Sequence, residues 1–369
     1  MNTELDQALR DAFERIGSAP PPTGVGPAVV RRVRRQHRLR VTFTAAAAVV
    51  LTAATVPVGV QLTQGRSAQP GGGLAGHRWV VTAYSGLQAT DASPKPRSLL
   101  LDKATGAYVS LPYLSALPSP DGTRVLVRTG DDTPSSPLRS GILDPGTGNV
   151  RWISTYTGQG TWSPDGTEIL FTVRARLSDT GFAIVDAATL KASFAKVDFT
   201  EDNSTGLDFV WAPSGQEVAI TVSHSGGQES QIDPVTGVRF YNRGGMLTHS
   251  VPATAELQSE YAFSPRGTQI ALHDDPVGGA PARIVDANTG TVQKTVRLSG
   301  RNDIVGWADD NHLIVRHWAD DLSGSQLRIV NLAGHVDTSV NLRVDASIAD
   351  QVVVGSAEDL SPNAAGLAF

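Results

Sequence analysis

The chain reads as all-β: a six-bladed β-propeller preceded by a short helix and one membrane-spanning helix. Three observations predict this. A Ser-Pro-Asp-Gly phrase recurs at intervals of about 45 residues. A second phrase, Asp-x-x-Thr-Gly, alternates with it. An arginine-rich stretch and 22 uncharged residues precede both.

The first phrase occurs as "LPSPDGTRVLV" (117–127), "TWSPDGTEILF" (161–171), "VWAPSGQEVAI" (210–220) and "AFSPRGTQIAL" (262–272), with a degraded copy, "GWADDNHLIV" (306–315). Pro120, Pro164, Pro213, Pro265 and Asp309 are spaced by 44, 49, 52 and 44 residues. A period in this range is the mark of a repeat architecture. The phrase has the chemistry of a hairpin turn. Proline sets φ at the first central position, aspartate bonds nearby backbone, and glycine takes the left-handed φ. Ser214 and Arg266 stand where the aspartate is dispensable, and Asn311 stands for glycine as the next best left-handed residue.

The second phrase occurs in six copies: "LLLDKATGAYV" (99–109), "GILDPGTGNV" (141–150), "AIVDAATLKA" (183–192), "QIDPVTGVRF" (231–240), "RIVDANTGTVQ" (283–293) and "RIVNLAGHVD" (328–337). β-rich runs flank both phrases, so each unit predicts four short antiparallel strands. One such sheet cannot bury both of its faces. Sheets packed radially around an axis can, and they leave only short edges. The first unit, about 77–112, lacks a first strand, and "ASIADQVVVGS" (346–356) is expected to supply it. Six blades follow, or seven if that last segment forms more than one strand.

These two turns resemble the WD40-like propeller repeats of the TolB family over about residues 74–355. True WD40 blades carry Gly-His and Trp-Asp dipeptides in register, and that pattern is absent, as is the separate N-terminal domain of TolB. The resemblance implies architecture and not activity.

The segment before the repeats has its own logic. In "TELDQALRDAFERIG" (3–17), Leu5, Leu9, Phe13 and Ile16 form one apolar stripe with a Thr3 cap and a Gly17 stop. A helix this short is marginal alone, so the stripe is expected to contact a cytosolic partner or a membrane surface. Residues 1–40 hold eight Arg against four acids, and residues 63–369 hold 23 Lys and Arg against 32 acids. Residues 41–62 carry no charge. As a helix they would span about 33 Å, enough for a hydrocarbon core of about 30 Å. Six arginines before the span and only Arg66 soon after it place residues 1–40 in the cytoplasm and the repeats outside. We read the span as an uncleaved anchor, because a signal peptide has a shorter apolar core. The arginines serve topology, and no nucleic-acid partner is expected. Residues 63–76 read as a Gly-rich tether and 357–369 as a C-terminal tail.

The layout of cytosolic helix, basic stop, one span and external domain looks like that of membrane-bound anti-sigma factors. Their His-x-x-x-Cys-x-x-Cys zinc signature is missing, since the chain has no Cys.

In a propeller both turns lie on one face. The other face carries the loops between second and third strands. Its candidate binding residues are Asp131, Asp132, Arg174, Arg176, His273, Asp274, Asp275, Arg316, His317, Asp320 and Asp321. They suit an envelope protein or a glycan. No catalytic group, metal or cofactor is expected. The eight His are scattered, and neither a phosphate loop nor a Gly-x-Ser-x-Gly elbow is present. The first expectation is therefore a non-enzymatic, single-pass envelope protein that binds or senses through its propeller and signals to a cytosolic regulator. The alternatives are a lactonase- or glycosidase-like envelope enzyme, with carboxylates or a metal converging at the channel mouth, and a TolB-like scaffold without signalling.

Overall fold

The computed structural model of the protein describes residues 79–87, 97–130, 138–154, 160–174, 180–199, 203–204, 208–224, 234–273, 280–318, 325–342 and 351–369. The predicted helix of residues 3–17, with Leu5, Leu9, Phe13 and Ile16, and the apolar segment 41–62 lie outside the described residues. Among the described residues no helix is long and apolar enough to cross a membrane.

Six antiparallel sheets form six blades. Blade 1 holds β1 (Trp79–Leu87), β2 (Arg97–Asp102) and β3 (Ala107–Leu111). Blade 2 holds β4 (Ser115–Pro118), β5 (Val125–Thr129), β6 (Arg139–Leu143) and β7 (Val150–Trp152). Blade 3 holds β8 (Gly160–Trp162), β9 (Glu168–Arg174), β10 (Thr180–Asp186) and β11 (Ala192–Lys196). Blade 4 holds β12 (Asn203–Ser204), β13 (Val210–Trp211), β14 (Glu217–Ser223), β15 (Val235–Asn242) and β16 (Leu247–Pro252). Blade 5 holds β17 (Gln269–Leu272), β18 (Ala282–Asp286) and β19 (Val292–Val296). Blade 6 holds β20 (Asn302–Asp309), β21 (His312–Trp318), β22 (Ser325–Asn331) and β23 (Val336–Asn341).

The last strand, β24 (Gln351–Ser356), pairs with β1 and gives blade 1 the order β24-β1-β2-β3. The ring thus closes with a single strand supplied from the far end of the chain, as the missing first strand of blade 1 predicts, and the blades number six.

The turns behave as their chemistry requires. In blade 2 the Gly122 N–H donates to the Ser119 carbonyl at 2.8 Å, and the Ser119 N–H donates to the Arg124 carbonyl at 2.8 Å. The Ser119 hydroxyl donates to Asp121 at 2.5 Å, and Gly122 has φ of 69°. These turns also stack from blade to blade. Gly166 sits so close to Pro120 that an added Cβ would lie 3.2 Å from its Cδ. Gly267 sits against Pro213 in the same way, at 3.3 Å from Cγ. Between blades 5 and 6 an ion pair replaces this contact, with Arg266 Nε 2.9 Å from Asp310.

Two elements differ from expectation. The copy "QIDPVTGVRF" is not a turn, because Val235–Asn242 is one continuous strand. The third-to-fourth turn of blade 4 is Asn242–Gly245, where the Asn242 side-chain oxygen accepts from Gly244 and Met246 N–H groups. Blade 5 has no regular first strand. A short 3-10 turn, Glu260–Ala262, interrupts it and leaves the isolated bridges Glu256 to His273 and Phe263 to Ile270.

Burial follows the radial logic, because the core clusters bridge neighbouring blades. Leu170, Phe182 and Ile184 of blade 3 pack with Val218, Ile220 and Tyr241 of blade 4. Ala271 and Ile284 of blade 5 pack with Trp307 and Leu313 of blade 6. Val352 of β24, with Val81 and Tyr84 of β1, packs with Ile314 and Leu327 of blade 6. Tryptophans that precede the turns add polar links. Trp162 Nε1 donates to the Leu117 carbonyl and Trp307 Nε1 to the Ala262 carbonyl, each at 2.9 Å and each into the preceding blade.

The turn aspartates carry a testable pH dependence. The Thr105, Thr147 and Thr189 hydroxyls hold Asp102, Asp144 and Asp186 below the ordinary value of 3.8, helped by backbone N–H groups. The Ser163 hydroxyl does so for Asp165, and the Thr289 N–H for Asp286. At Asp121, partial burial pushes upward, but hydrogen bonds from Ser119 and Thr123 outweigh it and the net shift is down. A carboxylate whose pKa is lower folded than unfolded contributes stability in full above the unfolded value. That contribution is lost as pH falls through the folded value. We therefore expect the melting temperature to hold from neutral pH to about 5 and to fall steeply below about 4. Calorimetry across that range checks this. A melting temperature that rises toward pH 3 would contradict the assignment.

Candidate functional site

The face opposite the turns is built by the far ends of the second strands, where the sequence places the candidate binding residues. Of these, Asp131, Asp132, Arg176, Asp274, Asp275, Asp320 and Asp321 lie outside the described residues. Arg174, His273, Arg316 and His317 are described, at the ends of second strands in blades 3, 5 and 6.

Strand register shows where two of them sit. In blades 2, 3, 4 and 6 the second-strand residue paired with the position four before the turn Asp or Asn is Arg128, Thr172, Thr221 and Arg316. Ser85 of blade 1 and His273 of blade 5 come next after the pairs Tyr84 with Leu99 and Leu272 with Arg283, at the same end of their strands. At three of these positions a hydroxyl accepts an N–H from the approach to the next blade. Ser85 accepts from Ala116 at 3.0 Å, Thr172 from Phe209 at 2.7 Å, and Thr221 from Leu257 at 2.8 Å. In these three blades the position is a polar link to the next blade. His273 and Arg316 occupy it in blades 5 and 6 and are each only 1% exposed. His273 sets Nε2 against the Ala280 carbonyl at 2.9 Å. The Arg316 guanidinium lies 3.8 Å from the Trp318 ring centroid, and Arg301 lies 4.5 Å from the same ring.

The other two are closer to the surface. Arg174 reaches Asp208, 2.9 Å away on the approach to blade 4. His317 Nδ1 lies 3.1 Å from the Asn302 side-chain oxygen. Both hold neighbouring segments together. Only Arg316 and His317 adjoin each other; Arg174 and His273 belong to other blades. Among the described residues no three His, Asp or Glu side chains are grouped to hold a metal ion.

The opposite face carries a feature that the sequence reading did not anticipate. A cavity of about 950 Å³ opens among the turns. Pro120, Pro164, Pro213 and Pro265 of blades 2 to 5 line its rim, and Trp162, Trp211 and Phe263 line it further in. Leu100, Val109, Leu111 and Leu143 extend it along the seam between blades 1 and 2. Beside it, blade 1 differs from the other five: they close their inner edge with a turn from first to second strand, and blade 1 does not, because β24 and β1 come from opposite ends of the chain.

The tail fills part of that gap. Residues 357–369 pack Leu360, Leu367 and Ala368 on Val80, Leu101 and Tyr108. Phe369 exchanges two backbone hydrogen bonds with Trp79, of 3.0 and 2.8 Å. The charged lining residues of the cavity are Asp102, Lys103 and Asp359, the last two 3.7 Å apart. A volume of this size falls at the upper end of the usual range for ligand pockets, about 300–1,000 Å³.

No family model and no curated protein matches the chain. Solved structures do. TolB from Acinetobacter baumannii aligns with a TM-score of 0.51 at 17% identity, over 76% of this chain and 66% of that one. The chain thus spans slightly less than two-thirds of that relative's length. A candidate TolB from Agrobacterium tumefaciens aligns at 0.45 and 11% identity, over 76% and 99% of the two chains. A candidate 6-phosphogluconolactonase from Bacteroides uniformis aligns at 0.42 and 14% identity, over 72% and 81%. The chain is a TolB-like six-bladed β-propeller, and the likeness is one of fold.

Proposed function

We propose that this is a single-pass membrane protein whose propeller stands outside the cell membrane as a binding and sensing module. The observation that carries the reading is the path of the chain. The described chain begins at Trp79, on the turn face, and Trp79 pairs there with Phe369. A propeller tethered through residues 63–78 therefore presents its loop face outward, where a protein or glycan can reach it. Residues 1–40, with the apolar stripe Leu5, Leu9, Phe13 and Ile16, remain inside to engage a regulator such as a sigma factor. The described polar side chains of the loop face join strands and blades together, which suits a rigid display surface.

Affinity capture from native membranes tests this by comparing the full chain with one lacking residues 2–26. The expected result is a cytosolic regulator recovered with the full chain and lost on truncation, together with envelope partners common to both. An identical partner set in both samples would remove the signalling part of the reading.

A further inference from the structure

We infer that the turn-face cavity is a site for the acyl chain of a membrane lipid. This rests on the proposal that the chain is membrane-anchored. Three observations carry it.

First, the walls are apolar along the seam and aromatic at the centre, and the charged lining residues are few. An acyl chain asks for this surface, because each methylene taken from water favours binding and none requires a partner.

Second, the position is right. Trp79 is level with Ser356 and Val80 with Gly355, and both Ser356 and Gly355 line the cavity. The chain therefore leaves the propeller at the cavity rim. Sixteen residues, 63–78, separate Trp79 from the end of the uncharged segment 41–62. Even fully extended, residues 63–78 reach at most about 55 Å. The cavity mouth thus lies within about 55 Å of the bilayer that the segment would span.

Third, the opening persists with the tail in place. Residues 357–369 are packed on blade 1, and Val109, on the outer strand of that blade and lining the cavity, remains 49% exposed. The lipid would enter along that seam with its headgroup near the Lys103 and Asp359 pair.

The six tryptophans are Trp79, Trp152, Trp162, Trp211, Trp307 and Trp318, and none lies in the segment 41–62. Bromine on an acyl chain quenches indole fluorescence only near contact. The full chain is therefore placed in phosphatidylcholine and phosphatidylglycerol vesicles brominated at mid-chain. The expected result is loss of about a third of the emission, since two of the six tryptophans line the cavity. Val109→Asp puts a charge at an exposed wall position and should abolish the quenching while leaving the melting temperature unchanged. Thr129→Asp, on the loop face, should leave the quenching intact.

Absence of quenching, or quenching that Val109→Asp does not reduce, would overturn the assignment and leave the cavity to an apolar peptide. Flotation of the same samples reports anchoring separately. A chain that fails to float would sink the anchored reading and, with it, the bilayer as the lipid source. Dibromostearate added to that chain in solution then decides the cavity itself. Quenching lost in Val109→Asp would retain an acyl site, and no quenching would remove it.

Discussion

A chain stopped at residue 350 is expected to lose cooperative folding. The truncation removes β24, whose residues from Gln351 to Ser356 pair with β1 from Ser85 back to Trp79. It also removes the tail that covers Val80, Leu101 and Tyr108. Val352 and Val353, 6% and 4% exposed, are lost from the cores that join blade 1 to blade 6 and to blades 2 and 3. On the other side of the break, Val80 and Ala83, both fully buried, would face solvent. Burying a valine side chain contributes on the order of 1.5–3 kcal/mol. The strand and its two faces together therefore exceed about 5 kcal/mol, comparable with the whole stability of many domains. Urea unfolding followed by tryptophan emission should replace one sharp transition with a broad one. A truncated chain that still unfolds in one sharp step would mean that blades 2 to 6 hold together without ring closure. Supplying residues 351–369 as a separate peptide should restore the transition, since the ladder they form is non-covalent.

The closure was legible because the repeat is periodic and its first copy is short by one strand. The turns were legible because their requirements are local: a proline, a hydroxyl, an acceptor and a glycine within four residues. Blade 4 exposed the limit of that reading. Asp233 stands 18 residues after Gly215, close to the 20 and 19 that separate the corresponding residues of blades 3 and 5. Asn242, the true turn residue, stands 27 after it. A longer connection between second and third strands had displaced the turn, and a look-alike phrase occupied the expected place. Inside β15, Gly237 serves another need, since a Cβ there would lie 2.8 Å from the Val251 carbonyl.

The candidate site was less legible. His273 and Arg316 attracted attention as charged residues beside polar loops. Their meaning depends on strand register across six sheets, which places them at the same end of their strands as Ser85, Thr172 and Thr221, and no local pattern encodes that. The turn-face cavity was not legible as a cavity. Its rim carries the prolines of the repeated phrase, but the open space between those turns depends on how the blades are set around the axis.

The two Thr-Gly turns of blades 2 and 5 offer a measurement of how tightly the blades are fitted at the rim. Gly148 and Gly290 occupy the same turn position with nearly the same φ, 74° and 70°. Around Gly148 an added Cβ would meet nothing within 4 Å. At Gly290 it would lie 2.5 Å from the Pro252 carbonyl oxygen and 2.7 Å from its Cδ, at the end of the outer strand of blade 4. Gly148→Ala therefore meets only the cost of a left-handed alanine, about 1–2 kcal/mol. Gly290→Ala meets the same cost and must also push blade 4 away from blade 5. Its clash is with backbone, which no rotamer change relieves, so the expected loss exceeds about 3 kcal/mol. Urea unfolding of the two variants beside the parent separates the terms, because the difference between them isolates the contact between blades. Equal losses would mean that the rim between blades 4 and 5 has slack enough to admit a methyl group, and the turns would then be independent caps. A large difference would mean that the turn glycines are contact points of the ring, where the Thr-Gly phrase holds neighbouring blades at a fixed distance as well as reversing the chain.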